Sequence, residues 1–127
     1  MNEENPLSKL IVSEAQTIDN GALADLLVQY ITIHKETNNI DFSANFHGLG
    51  NIEKILILLA AIKARNILLD TDDKLTPLEI IKLEIMPEGS VKGTLKKLLD
   101  ANEIKSEKGK YFLPNYKISQ VTARFKK

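Results

Sequence analysis

The chain of 127 residues contains no cysteine and no tryptophan. Without cysteine there are no disulfides and no thiolate metal ligands, and a reducing, cytoplasmic compartment is the natural expectation. Its two histidines, His34 and His47, have no His or Cys partner at ligand spacing, so no metal site is expected. Long apolar runs are also missing. The longest, residues 55–62, lies between Lys54 and Lys63 and is far short of the roughly 20 residues a membrane span needs. Residues 1–6 are acidic and polar, unlike a secretory signal, so a soluble protein without membrane contact is expected. No glycine-rich phosphate loop, internal repeat, low-complexity tract or Ser/His/Asp or Cys/His grouping stands out, so neither an enzyme nor a cofactor is expected. Asp70, Asp72 and Asp73 are loosely spaced like a calcium loop. The glycine and distal glutamate of an EF-hand are missing, and a solvated acidic connector is the expectation.

What the chain does have is charge separated along its length. Residues 87–127 hold ten Lys/Arg against four acids, about +6, whereas residues 1–86 hold seven against thirteen, about −6. The formal net charge of zero conceals this dipole, and such a separation sets up a field that draws a polyanion to one end.

Hydrophobic spacing and punctuation give the elements. Leu7, Leu10 and Ile11 predict a short helix to about Ala15 after a frayed tail over residues 1–6. A second helix begins near Asp19 and carries Leu23, Leu26 and Leu27 on one stripe. The β-branched stretch 28–33 and the alternating stretch 40–43 predict a hairpin closed by Glu36, Thr37, Asn38 and Asn39; the rival reading continues the helix to Lys35. Residues 45–50 read as a loop, and Asn51 as the cap of a long helix over 52–68. That helix is apolar nearly all round, which suits either a central buried position or a homodimer. Thr76, Pro77 and Glu79 predict a capping box opening a short helix over 76–83. After a turn at 84–86, Pro87 starts a helix to about Ala101. Its core stripe is Val91, Leu95, Leu98 and Leu99, and its opposite side carries Gly89, Ser90, Gly93, Lys96 and Lys97. Asn102 stops it. A hairpin over 103–113 turns at Lys108 and Gly109 and ends at Pro114. Tyr116, Ile118 and Val121 are expected to pack back on the body, ahead of a basic tail.

The order of helices 52–68, 76–83 and 87–101 and hairpin 103–113 resembles a winged helix-turn-helix domain. Residues 75–81 are similar to its second helix, and residues 86–98 to its recognition helix, with Ser90 before Val91 and lysines after it. The resemblance covers roughly half of the chain. The expected fold class is therefore α+β and mainly helical. It would comprise an N-terminal helix and hairpin extension over 1–50, a winged helix over 51–121 and a basic tail over 122–127.

What the resemblance implies is binding to double-stranded DNA, with the recognition helix in the major groove and the wing on the backbone. The protein would be a small transcriptional regulator or a plasmid- or phage-type accessory protein, and would dimerise through helix 52–68. The expected DNA contacts are Ser90, Lys92, Gly93, Thr94, Lys96, Lys97, Lys105, Lys108 and Lys110. Between Glu88 and Ala101 there is no Arg, Asn or Gln, the residues suited to bidentate base reading, so these contacts should go mostly to phosphates. A lysine-rich helix and strand also need a solvated face and a protected edge, which lysine supplies without any ligand. The scarcity of acids beside these lysines favours DNA; a winged helix that docks another protein is the alternative. Tyr111, Phe112 and Tyr116 read more readily as anchors for the wing than as platforms for stacked bases.

Overall fold

A 19-residue helix organises the molecule because it has no polar face over its middle. In the computed structural model, which describes Leu7 and residues 18–125, every residue from Ile55 to Lys63 is buried. Such a helix must be surrounded on all sides, and helices, strands and loops from both ends of the chain do so. In order they are α1 (Asn20–Leu27), β1 (Ile31–Ile33), β2 (Ile40–Phe42), α2 (Ala44–His47), the central α3 (Asn51–Leu69), α4 (Pro77–Lys82), α5 (Glu88–Asp100), β3 (Lys105–Glu107), β4 (Lys110–Phe112) and α6 (Asn115–Phe125). Helices α1, α5 and α6 and strand β4 all pack on α3. One buried cluster runs from Leu23 to Val121, so the fold is α+β, mainly helical, around a single core. The helix expected up to Ala15 lies, apart from Leu7, outside the described residues, as do Lys126 and Lys127.

The first hairpin forms as its alternation predicts. Strands β1 and β2 are antiparallel, with Thr32 opposite Asp41. Asn38 takes φ 63°, a left-handed conformation that asparagine tolerates better than most residues. Arg65 of α3 donates to the Asn38 carbonyl at 2.7 Å and ties the turn to the body. The following stretch is not all loop. Ser43 caps one helical turn, its Oγ accepting from the Phe46 N–H at 3.3 Å, and this turn drives Phe46 fully into the core against Phe42. Gly50, not Asn51, occupies the cap position of α3, and Asn51 is the first helical residue.

Thr76 caps α4 as its sequence dictates. Its Oγ1 accepts from the Glu79 N–H at 3.1 Å, and its own N–H donates to Glu79 Oε1 at 2.8 Å. Such a cap is worth about 1 kcal/mol. Glu84 then takes φ 57° and turns the chain into α5, where Pro87 holds the cap position instead of the first helical one. Helix α5 ends at Asp100, and Asn102 follows at φ 60°.

The second hairpin has Glu107 opposite Lys110, so only Lys108 and Gly109 form the turn. Both have positive φ, 53° and 80°, as a two-residue hairpin turn with the natural strand twist requires. A third segment joins its edge: Leu75, just before α4, exchanges backbone hydrogen bonds with Tyr111 at 2.9 and 2.7 Å. The C-terminal stretch differs most from expectation. Ile118 and Val121 do pack inward, but as part of an 11-residue helix that also takes in residues 122–125 of the expected tail.

Candidate nucleic-acid interface

Helix α5 presents a bare face to solvent. A Cβ added to Gly89 or Gly93 would meet nothing within 4 Å, so the backbone there is open to any surface that approaches. Beside these glycines stand Lys92, Lys96 and Lys97, all exposed, with Ser90 half-buried at the flank. Thr94 does not belong to this set. It is 6 % exposed, on the core side with Val91, Leu95 and Leu98, and cannot reach a phosphate. Its sequence position sits between the two faces on a helical wheel, and a small threonine fits the core. Leu99, assigned to the core stripe, is instead half-buried.

The remaining expected contacts lie on the hairpin. Lys105 is exposed on β3, with its ammonium 5.6 Å from the centre of the Tyr116 ring. Lys108 stands exposed at the turn, and Lys110 is half-buried on β4. The three aromatics considered as stacking platforms serve the hairpin's anchorage. Tyr111 makes the backbone bridge to Leu75, Phe112 lies under the Lys74 ammonium at 4.9 Å, and Tyr116 lies near both Lys105 and Lys117.

Carboxylates temper this surface, two of them at a four-residue spacing that the sequence already carries. Lys92 pairs with Glu88 at 3.1 Å and Lys96 with Asp100 at 3.2 Å, one helical turn away in each case. Lys110 pairs across 38 positions with Asp72 at 3.1 Å. Among the described residues, Lys97 and Lys108 have no carboxylate within ion-pair distance. Arg124, expected in a free basic tail, lies between Glu53 at 3.6 Å and Glu103 at 3.1 Å.

The acidic segment 70–73 is solvated at Asp70 and Asp72, but Asp73 is half-buried and the segment is tied to the body. Lys63, buried in α3, donates to Asp73 at 2.7 Å; Lys74 donates to the other oxygen of Asp73 at 3.0 Å and reaches Glu107 at 3.6 Å. With Asp72 on Lys110, this chain of charges clips the hairpin to the central helix. The bond from Lys110 is the main reason the Asp72 carboxyl sits below its ordinary value. For Asp73, burial pushes upward, but the bonds from Lys63 and Lys74 together outweigh it and hold the carboxyl low. The bond to Asp73 in turn raises Lys74. Sequence reading missed this clip because its partners are scattered along the chain. The one available signal was Lys63, a lysine at the edge of an apolar run, which needs a carboxylate when buried.

The stripe expected to carry a homodimer is consumed by the core. Residues 55–63 of α3 are covered within one chain, and of the helix's apolar residues only Ile67 and Leu68, at its far end, are exposed. Those two, with Val28, border an apolar groove of about 400 Å³ between α1, the first hairpin and α3. His34 bonds Asp41 across the first hairpin at 2.6 Å, and His47 meets the edges of Phe42 and Phe46. Among the described residues no cluster of potential metal ligands forms, and no helix is long and apolar enough to cross a membrane. Compared with known proteins, the chain matches no family model, no curated protein and no solved structure.

Proposed function

We propose that the protein is a winged-helix module that binds double-stranded DNA mainly through phosphates, as a small regulator or accessory protein rather than an enzyme. One observation carries the reading: the glycine-bared, lysine-flanked face of α5 belongs to a helix followed directly by the cationic hairpin β3–β4. The order α3, Leu75 bridge, α4, α5, β3, β4, with Leu75 pairing to β4, is what a winged helix would have. In this reading α5 enters the major groove, where a helix fits, and Gly89 and Gly93 permit close backbone approach. Lys92, Lys96 and Lys97 lie against phosphates, and Lys105, Lys108 and Lys110 follow the backbone. Helix α5 carries no Arg, Asn or Gln, the residues best suited to bidentate base reading, so sequence preference should be slight.

Fluorescence anisotropy with a random-sequence duplex, repeated across salt concentrations, tests this. Binding is expected at low salt, with log affinity falling against log salt at a slope of about −4 to −5 if five or so phosphates are neutralised. Lys97→Glu with Lys108→Glu, at two exposed positions, should abolish binding and leave circular dichroism and melting unchanged. No binding at low salt rejects the proposal. Capture of a defined protein partner, unaffected by that pair, would favour the docking alternative.

A further inference from the structure

We infer that the proposed DNA surface carries its own carboxylate competitors, which hold its affinity down; this rests on the reading of α5 and the hairpin as the DNA-contacting face. Three of the lysines that would meet phosphates are already paired in the free protein. Glu88 holds Lys92, Asp100 holds Lys96, and Asp72 holds Lys110, all at 3.1–3.2 Å. Glu88, Lys92, Lys96 and Asp100 form one stripe at four-residue steps, with an acid at each end. Asp100 falls in the middle of the exposed face, close to the direction of Gly89 and Gly93, where a duplex would approach. Asp72 reaches Lys110 from a different element, the segment between α3 and α4.

Each carboxylate therefore stands in for a phosphate oxygen on the ammonium it occupies. When DNA binds, each of these lysines exchanges one oxyanion for another. The displaced carboxylate is left unpaired in a negative field. Lys97 and Lys108, which have no carboxylate within ion-pair distance among the described residues, make their contacts without such an exchange, which sets them apart from the three paired lysines. The exchange is easy for the two α5 pairs, whose partners are largely solvated, and harder for Lys110, which is half-buried. The arrangement tunes affinity; it does not block the site. A weakly held module of this kind would dissociate from random DNA readily and depend on an additional contact to stay at one place.

Anisotropy titrations at one fixed salt concentration test the idea. Glu88→Gln, Asp100→Asn and Asp72→Asn together should tighten binding to a random duplex roughly tenfold, about twofold for each pair. A simple loss of repulsion would also tighten binding, so the deciding measurement is a double-mutant cycle. Lys96→Gln should cost more affinity in the Asp100→Asn background than in the wild type, and Lys92→Gln more in the Glu88→Gln background, whereas Lys97→Gln should cost the same in every background. If wild type binds DNA and the lysine costs are equal in all backgrounds, the inference is overturned while the DNA reading stands. If neither wild type nor variants bind at low salt, the DNA reading itself fails. Should the triple variant melt early, the α5 cycles alone decide, because Glu88 and Asp100 are exposed positions.

Discussion

Among the described residues two hairpins have strands of the same length, and they are held in place differently. In the first, Ile31, Ile33, Ile40 and Phe42 face the core, and Phe42 packs 4.4 Å from the Phe46 ring. In the second, every residue of β3 is exposed and those of β4 are half-buried. It is held at its base by the buried Ile104 and Leu113, by a backbone bridge at Leu75 and by the charge chain Lys63–Asp73–Lys74–Glu107 with Asp72–Lys110. The comparison shows that a hairpin packed along its strands belongs to the scaffold, while one held only at its base, by two buried residues and a chain of charges, can project cationic side chains into solvent. A two-stranded ribbon alone is marginal in water, so each needs its own form of support.

The most damaging way to break that contrast is to remove packing under the first hairpin. Phe46→Ala should cost about 4 kcal/mol, read by denaturant melts, because a fully buried aromatic leaves a cavity beneath Phe42. Cutting the clip under the second comes next. Asp73→Ala leaves Lys63 buried without its carboxylate and should cost about 3 kcal/mol, with hydrogen exchange accelerating in β3 and β4 more than in β1 and β2.

Acid should reproduce that asymmetry in the native sequence. Asp72 and Asp73 titrate below their ordinary value of 3.8 in the folded protein, so the stability they add is complete above that value and is lost as pH falls through their lowered pKa. Lys74 is raised from 10.5, so its share persists below that pH and disappears only as pH rises beyond it. The clip should thus be intact across the neutral range, and exchange in the second hairpin should rise selectively below about pH 4. Equal loosening of both hairpins in acid would contradict the division. The smallest effect is expected at the turn. Gly109→Ala forces a side chain into φ 80° and should cost about 1 kcal/mol, without affecting the first hairpin.

Local signals were legible where neighbours in sequence are also partners in space. The Thr76–Glu79 box, the left-handed Asn38 and Asn102 and the Lys108–Gly109 turn each depend on a few consecutive residues. Helix α6 escaped notice because Pro114 reads as a stop and its apolar positions are few; it forms where Ile118 and Val121 meet the body. Thr94 was misplaced because its size suits a core gap that only packing reveals.

The sequence by itself determined the helix-rich α+β class, the long apolar helix, both hairpins and the concentration of positive charge after Pro87, since periodicity, caps and net charge are sums over near neighbours. Folding added the long-range pairing of those charges. Ion pairing depends on distances of a few ångströms between residues up to 38 positions apart, and it was folding that brought Asp72 to Lys110, Asp73 to Lys63 and Glu103 to Arg124.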